Sequence, residues 1–163
     1  MGRNEFPMMA ASYFWSDALN AFMFGHGPMT PTLADVAMLT GLDVSSSHNA
    51  YNLLSKGRHK FETKGSGGWK GFIGSNAKEG SVDDREHTAF LMMWLEKFIF
   101  CGKSVAPTAN FQPMAEALVN GDTIPLGQHL LRSVYTLLHH VASKLSTGQP
   151  IGNPGGPWWF INL

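Results

Sequence analysis

The sequence is poor in cysteine and in charged residues. Its 163 residues include one cysteine, Cys101, and only 15% are Asp, Glu, Lys or Arg. One cysteine allows neither an internal disulfide nor a cysteine-based zinc cage, so we expect a reducing, intracellular compartment. The 12 basic and 12 acidic residues give a formal net charge of zero. The overall charge therefore does not indicate nucleic-acid binding.

Long hydrophobic runs are also missing. Residues 89–95 are apolar but too few to span a bilayer, and the N-terminus lacks the basic and apolar regions of a signal peptide. We therefore expect no membrane association. Hydrophobic residues still make up 44% of the chain and aromatic residues 12%, which is enough for a packed core.

The common catalytic motifs are absent from the sequence. It has no phosphate loop, dinucleotide-binding turn, nucleophile elbow or His-Glu-x-x-His. His129 and His140 are about three helical turns apart, too far to bind one zinc ion. Residues 65–68 are glycine-rich, and we interpret them as a flexible turn. We expect no catalytic residue, no metal site, no cofactor and no small-molecule substrate.

Two weaker chemical alternatives remain open. Cys101 follows an apolar helix and is expected to be a small buried hydrophobe rather than a nucleophile. Four aspartates could form a metal-binding nuclease cluster: Asp17, Asp35, Asp83 and Asp84. Positions near helix starts explain the last three equally well, as caps and dipole partners.

One run near the N-terminus predicts a β-hairpin that leads into a capped helix. Phe22 and Phe24 alternate with Met23 as in a strand, and residues 25–28 are turn formers. Thr32 and Asp35 have the spacing of a capping box. Gly41 fits the left-handed position that ends a helix. The helix between them should bury Leu33, Val36, Ala37, Leu39 and Met38.

The sequence from residue 81 onward predicts helices. Ser81 is a suitable N-cap for a helix whose residues 88–100 are apolar nearly all round. Helical spacing continues over residues 111–119, and a longer amphipathic helix opens after Pro125 and ends at Gly148. The predicted fold is mainly α, a helical core with a small N-terminal β-hairpin (α+β).

Residues 45–81 differ in character and predict a flexible, basic, Gly/Ser/Lys-rich insertion, with a short strand or turn at residues 69–73. Basic side chains interleaved with aromatic ones are typical of segments that track phosphates and stack on bases, and equally of an ordinary solvated loop. The candidate nucleic-acid-binding residues are Lys56, Arg58, Lys60, Lys64, Trp69 and Lys70.

Four blocks of sequence resemble the plant mobile domain, which is also called aminotransferase-like. They are residues 14–42, with Phe14-Trp15-Ser16-Asp17 and Gly27-Pro28-Met29-Thr30-Pro31-Thr32; residues 86–101; residues 118–139, with Pro125-Leu126-Gly127; and Gly156-Pro157-Trp158-Trp159. The structural signature residues are Phe22, Gly27, Thr32, Leu33, Asp35, Gly41, Trp94 and Trp158. The match predicts that residues 1–163 are a single, partial domain of this family. Residues 158–161 are expected to start another buried element, and they would form an exposed aromatic terminus if nothing covered them.

The resemblance implies a transposon-derived, non-enzymatic nuclear protein-interaction module. Family members resemble the MAINTENANCE OF MERISTEMS (MAIN-like) group, which is linked to meristem maintenance and transposable-element silencing, and some work with a phosphatase-like partner. Two alternatives stay open. One is a nucleic-acid-binding module that uses the basic insertion, and the other is a remnant enzyme, either a nuclease or a pyridoxal-phosphate enzyme.

Overall fold

The computed structural model describes residues 10–47, 58–63, 65, 67–104 and 106–163. The chain divides into two compact units, one formed by residues 1–44 and 126–163 and the other by residues 45–125. About 51% of the described residues are helical, and a small antiparallel sheet lies near the N-terminus. The predicted mainly α fold with a small N-terminal β element is therefore confirmed.

The first unit begins with a three-stranded antiparallel sheet in the order β1-β2-β3. The strands are β1 (Trp15–Ser16), β2 (Ala21–Phe24) and β3 (Gly27–Met29). Phe22 lies opposite Trp15 on one side and Met29 on the other. The hairpin was predicted, but strand β1 was not, because two residues are too few to show an alternating pattern.

The hairpin turn is tighter than predicted. Gly27 and Pro28 belong to β3, opposite Phe24 and Met23, so only Gly25 and His26 connect the strands. Proline is tolerated in β3 because this strand lies at the edge of the sheet, where the missing N–H leaves no ladder bond broken.

Helix α1 (Leu33–Thr40) has the predicted caps at both ends. Thr32 Oγ1 accepts a hydrogen bond from the Asp35 N–H at 3.3 Å, and Asp35 Oδ2 accepts one from the Thr32 N–H at 2.7 Å. Gly41, with φ 67°, ends the helix and donates its N–H to the carbonyl of Ala37.

The predicted apolar face of α1 is wrong in part. Val36 is fully buried, but Leu33, Leu39 and Met38 are exposed by 38%, 53% and 85%. A helix of two turns that contacts one long helix can bury only a narrow stripe, so its remaining apolar residues face solvent.

The long predicted helix is α5 (Leu126–Ser146), which supplies most of the core of the first unit. A final short helix, α6 (Trp158–Ile161), follows a loop rich in glycine and proline. Trp158 and Ile161 pack against Leu137, Val141 and Ile151, and Phe160 is only 4% exposed. The prediction that residues 158–161 begin a buried element is therefore confirmed, and the alternative of an exposed aromatic terminus is wrong, because the loop returns this segment to the face of α5.

The second unit contains α2 (Gly68–Asn76), α3 (Asp84–Trp94) and α4 (Gln112–Val119). A π-helical turn (Leu95–Ile99) continues α3, and a 3₁₀ turn (Ala109–Phe111) precedes α4. None of the helices in the described ranges has the length and apolar character needed to cross a bilayer.

Three local predictions for the second unit are wrong. Residues 69–73 lie in helix α2 rather than in a strand or turn, so a helix does follow the glycines at 65–68. The N-cap of α3 is Asp83, whose Oδ1 accepts from the Glu86 N–H at 2.7 Å, and not Ser81. Residues 88–100 are not apolar all round: Phe90 and Phe98 are exposed, and Glu96 is buried.

The buried Glu96 has a structural explanation. Its Oε2 accepts hydrogen bonds from the backbone N–H and the hydroxyl of Thr108, both at 3.0 Å. A buried carboxylate is costly unless such donors satisfy it. The pair therefore fixes the loop that leads from the π-helical turn of α3 towards α4.

Gly127 is the point of closest approach in the first unit. Its N–H donates to the carbonyl of Asp43 at 2.8 Å. A Cβ at this position would lie 2.5 Å from Val44 Cγ1, 3.0 Å from the Asp43 carbonyl and 3.0 Å from Val36 Cγ1. Only glycine lets α1 and the segment after it lie this close to α5.

We predict that Gly127→Ala lowers the free energy of unfolding by about 1–3 kcal/mol, the usual cost of overpacking a core. Gly74→Ala is the matched control, since it is also a glycine-to-alanine change within a helix and its added Cβ meets nothing within 4 Å. The control should be neutral or slightly stabilising, because alanine has the higher helix propensity. Equal denaturation midpoints for both variants in urea would contradict the packing argument.

Candidate interaction surfaces

The structure places four of the six candidate nucleic-acid-binding residues in the second unit: Arg58, Lys60, Trp69 and Lys70. Lys56 and Lys64 lie outside the described residues. The side chains of Lys60 and Lys70 are exposed, and Trp69 is half-buried with its ring edge-on to Phe72 at 6.2 Å.

Glu116 on α4 holds the start of this basic segment in place. Its Oε2 accepts from the Arg58 N–H at 2.9 Å, and its Oε1 accepts from the His59 N–H at 3.1 Å. Gln112 Nε2 donates to Glu116 Oε1 at 2.8 Å and to the His59 carbonyl at 2.6 Å. We call this arrangement of Arg58, His59, Gln112 and Glu116 the Glu116 clamp.

Two arginine side chains at and near the clamp also have partners within the protein. Arg58 Nη1 donates to Asn120 Oδ1 at 2.8 Å, so its guanidinium already has a protein partner. The guanidinium of Arg85 lies 5.3 Å from the centre of the Phe61 ring, a cation–π distance. Arg58 therefore has a structural role, whereas Lys60 and Lys70 present the exposed charges of this set.

The Glu116 clamp lowers the pKa of the Glu116 carboxyl group. Partial burial of Glu116 raises its pKa, but the hydrogen bonds from Gln112, Arg58 and His59 together lower it more, so the net pKa is below the ordinary 4.5. A folded-state pKa below the unfolded value means that ionised Glu116 stabilises the fold above about pH 4.5. This contribution is lost as the pH falls through the lowered pKa.

A second surface lies on the sheet of the first unit. Tyr13, Phe14 and Met23 are exposed by 70%, 51% and 43%. The Met23 N–H donates to the Phe14 carbonyl at 2.7 Å, and the rings of Phe14 and Phe24 are 5.6 Å apart. We call Tyr13, Phe14, Met23 and Phe24 the aromatic edge.

Buried rings support the aromatic edge. Phe24 stacks on Phe22 at 5.7 Å, and Phe22 meets the edge of Trp15 at 5.0 Å. Trp15 and Phe22 are part of the core, with 6% and 7% of their surfaces exposed. The exposed side chains are therefore mounted on a packed base.

Helix α5 fixes the loop next to the aromatic edge through a histidine that the sequence analysis missed. His139 Nδ1 lies 2.7 Å from Asp17 Oδ1, and Nε2 lies 2.8 Å from Asn20 Oδ1. Tyr135, one turn earlier, donates its hydroxyl to the Pro31 carbonyl at 2.7 Å. No local pattern indicates these contacts, because they join positions more than 100 residues apart.

The other chemical candidates have structural roles. Asp35 and Asp83 cap helices α1 and α3, and the described residues contain no group of three or more His, Cys, Asp or Glu able to hold a metal ion. Cys101 is half-buried, and burial raises the pKa of its thiol, which disfavours the reactive thiolate.

The signature residues are mostly explained by the fold. Phe22 is in the core, Thr32 and Asp35 form the capping box and Gly41 ends α1. Trp94 and Trp158 are half-buried, and Gly27 begins β3, whereas Leu33 is exposed. Gly127, where the backbone segments approach most closely, lies in one of the sequence blocks that resemble the family. It was not among the predicted site residues.

Comparison with known proteins gave one match. A family model described as plant mobile domain matches residues 3–152 of the 163-residue chain. No curated protein and no solved structure matches it.

We predict that Glu116→Gln lowers the stability of the fold at neutral pH by about 1–3 kcal/mol, because a neutral amide accepts the backbone donors less well and one of its groups is a donor itself. The gap to the unsubstituted chain should close as the pH falls below 4.5, where the wild-type carboxylate also becomes neutral. Thermal unfolding from pH 3 to pH 8 measures this gap. Glu79→Gln, at an exposed site, is the control; an equal and pH-independent loss in both variants would contradict the clamp.

Proposed function

This chain belongs to the plant mobile domain family, and we propose that it is a non-enzymatic, transposon-derived module that binds another protein in the nucleus. The family resemblance supports a role in transposable-element silencing and meristem maintenance. It also supports a phosphatase-like nuclear protein as the partner.

The observation that carries the proposal is the aromatic edge. Large apolar side chains that remain exposed next to one another commonly mark protein–protein contact sites. Tyr13 and Phe14 are more than half exposed, and aromatic residues contribute disproportionately to binding energy at interfaces.

The aromatic edge also has the rigidity that favours binding. Ring contacts connect Phe14 through Phe24 and Phe22 to Trp15 in the core. Side chains that are already fixed lose little conformational entropy when a partner covers them. The hydrogen bonds of His139 hold the neighbouring loop against α5, which keeps the edge in one arrangement.

Nucleic-acid binding is a second candidate function, favoured by the exposed Lys60 and Lys70 and by the partly exposed Trp69, which precedes Lys70 in the sequence. The Glu116 clamp fixes the backbone just before Lys60, and Lys70 is on helix α2. Exposed lysines on ordered backbone can contact phosphates, but the chain's zero net charge argues against a large electrostatic contribution.

We predict that Tyr13→Ser/Phe14→Ser removes at least half of the protein specifically retained by the immobilised chain from nuclease-treated plant nuclear extract. The reason is that two aromatic anchors near the centre of a contact dominate its affinity. Met38→Ser, at an exposed apolar position on α1 of the same unit, is the matched control and should leave retention unchanged. Mass spectrometry with isotope-labelled baits measures the ratio, and equal retention by both baits would contradict the proposed surface.

For the second candidate, we predict only weak binding of a fluorescent single-stranded oligonucleotide, and its further loss in Lys60→Gln/Lys70→Gln. Removing two phosphate contacts should reduce the magnitude of the slope of log affinity against log salt concentration by roughly 1.4 for a single strand. Fluorescence anisotropy over a salt series measures both quantities. An affinity that does not change in the double variant would remove these lysines from consideration.

A further inference from the structure

A small pocket opens between helices α2 and α3 of the second unit. Its volume is about 110 Å³, and its walls include Phe72, Ile73 and Asn76 from α2 and Glu86, Phe90 and Met93 from α3. Drug-sized ligands and cofactors occupy roughly 300–1,000 Å³, whereas a cavity of about 150 Å³ can hold one benzene ring. The pocket is smaller than either, so it has room for only part of one side chain.

The pocket has mostly apolar walls, and one of the residues that line it has a buried polar atom without a hydrogen-bond partner among the described residues. Asn76 is only 4% exposed, and its Nδ2 donates to the Phe72 carbonyl at 2.8 Å. Its Oδ1, however, is buried and has no hydrogen-bond partner within the part of the chain that the structure describes. A buried acceptor left unpaired is costly, and Asn76 is among the residues that line the pocket.

The charge at the pocket is negative. Glu86 is the one charged residue among those that line it, and it lies in the first turn of α3 beside Asp84. Arg85 precedes Glu86 in the sequence, but its guanidinium lies 5.3 Å from the centre of the Phe61 ring. The side chain of Lys78 is paired with Asp83, and its backbone N–H donates to Glu86 Oε1 at 3.3 Å. Two apolar residues at the pocket, Ile73 and Phe90, are exposed by 43% and 54%.

We propose that this pocket receives the arginine or lysine side chain of a partner protein. Such a side chain has an apolar stem that can pack against Phe72, Phe90 and Met93 while its head stays polar. The cationic head complements the Glu86 carboxylate, offers a donor to Asn76 Oδ1 and interacts favourably with an aromatic face. The charge complementarity with Glu86 distinguishes this occupant from a purely apolar side chain.

The inference rests on the proposed function, because it names the chemistry of the protein that this module binds. It concerns a different surface from the aromatic edge, so the two can fail independently. If the nuclear partner is retained through the aromatic edge but the peptides described below do not bind, the pocket assignment is wrong and the proposed function stands.

The test is a titration of the full isotope-labelled chain with three capped pentapeptides, followed by two-dimensional NMR. The peptides have alanine at every position except the centre, which is arginine, citrulline or leucine. Citrulline has nearly the shape of arginine without the charge. We expect the arginine peptide to shift amide signals of residues 72–77 and 86–93, and the citrulline peptide to bind about tenfold more weakly, the effect of losing one charge-assisted hydrogen bond.

Variants of the chain locate the site. Glu86→Gln should weaken the arginine peptide about tenfold, and Phe90→Ala, at an exposed position, should weaken all three peptides. Glu79→Gln is the charge-matched control and should leave binding unchanged. The proposal is overturned by no shift at any soluble concentration, by shifts confined to other residues, by stronger binding of the leucine peptide, or by an equal effect of Glu79→Gln.

Discussion

The first unit depends on the contact of Gly127 with the segment that follows α1. Residues 10–44 and 126–163 are joined through about eighty residues of intervening chain, so only tertiary contacts can hold them together. At Gly127 the backbone of α5 touches Val36, Asp43 and Val44 closely enough that a methyl group does not fit. With α1 held there, Tyr135 and His139 on the same helix reach the Pro31 carbonyl and the Asp17–Asn20 loop. The sheet and its aromatic edge are thereby fixed relative to α5.

The second unit is organised by carboxylates that collect backbone donors. Glu116 holds residues 58–59 on α4, and Glu96 holds Thr108 beside the π-helical turn. Each carboxylate replaces part of its lost hydration with N–H and O–H groups of segments that have no regular structure of their own. Irregular segments are positioned in this way without a large apolar core. The same principle explains why Arg58, selected from the sequence as a phosphate contact, serves the fold.

The sequence predicted those features whose causes are local. The capping box of Thr32 and Asp35, the left-handed Gly41 and the long helix after Pro125 all follow from residues a few positions apart, and all are confirmed. Helix α2 was missed because its glycines at 68, 71 and 74 disfavour a helix, and burial of Phe72 overrides that preference. The role of Gly127, the Glu116 clamp and the burial of Phe160 depend on contacts between distant residues. The aromatic edge was not predicted as a surface, since the rings that support it come together only in the folded sheet.

The central claim is that this family member associates with a protein through apolar surface rather than with nucleic acid through charge. The most direct measurement is the salt dependence of what the immobilised full chain retains from nuclear extract, read over increasing sodium chloride. Apolar contacts persist or strengthen as salt rises, whereas phosphate contacts weaken steeply. We predict a nuclease-resistant protein partner that remains bound at high salt. Release of every specific partner at moderate salt, with nucleic acid in the eluate, would contradict it.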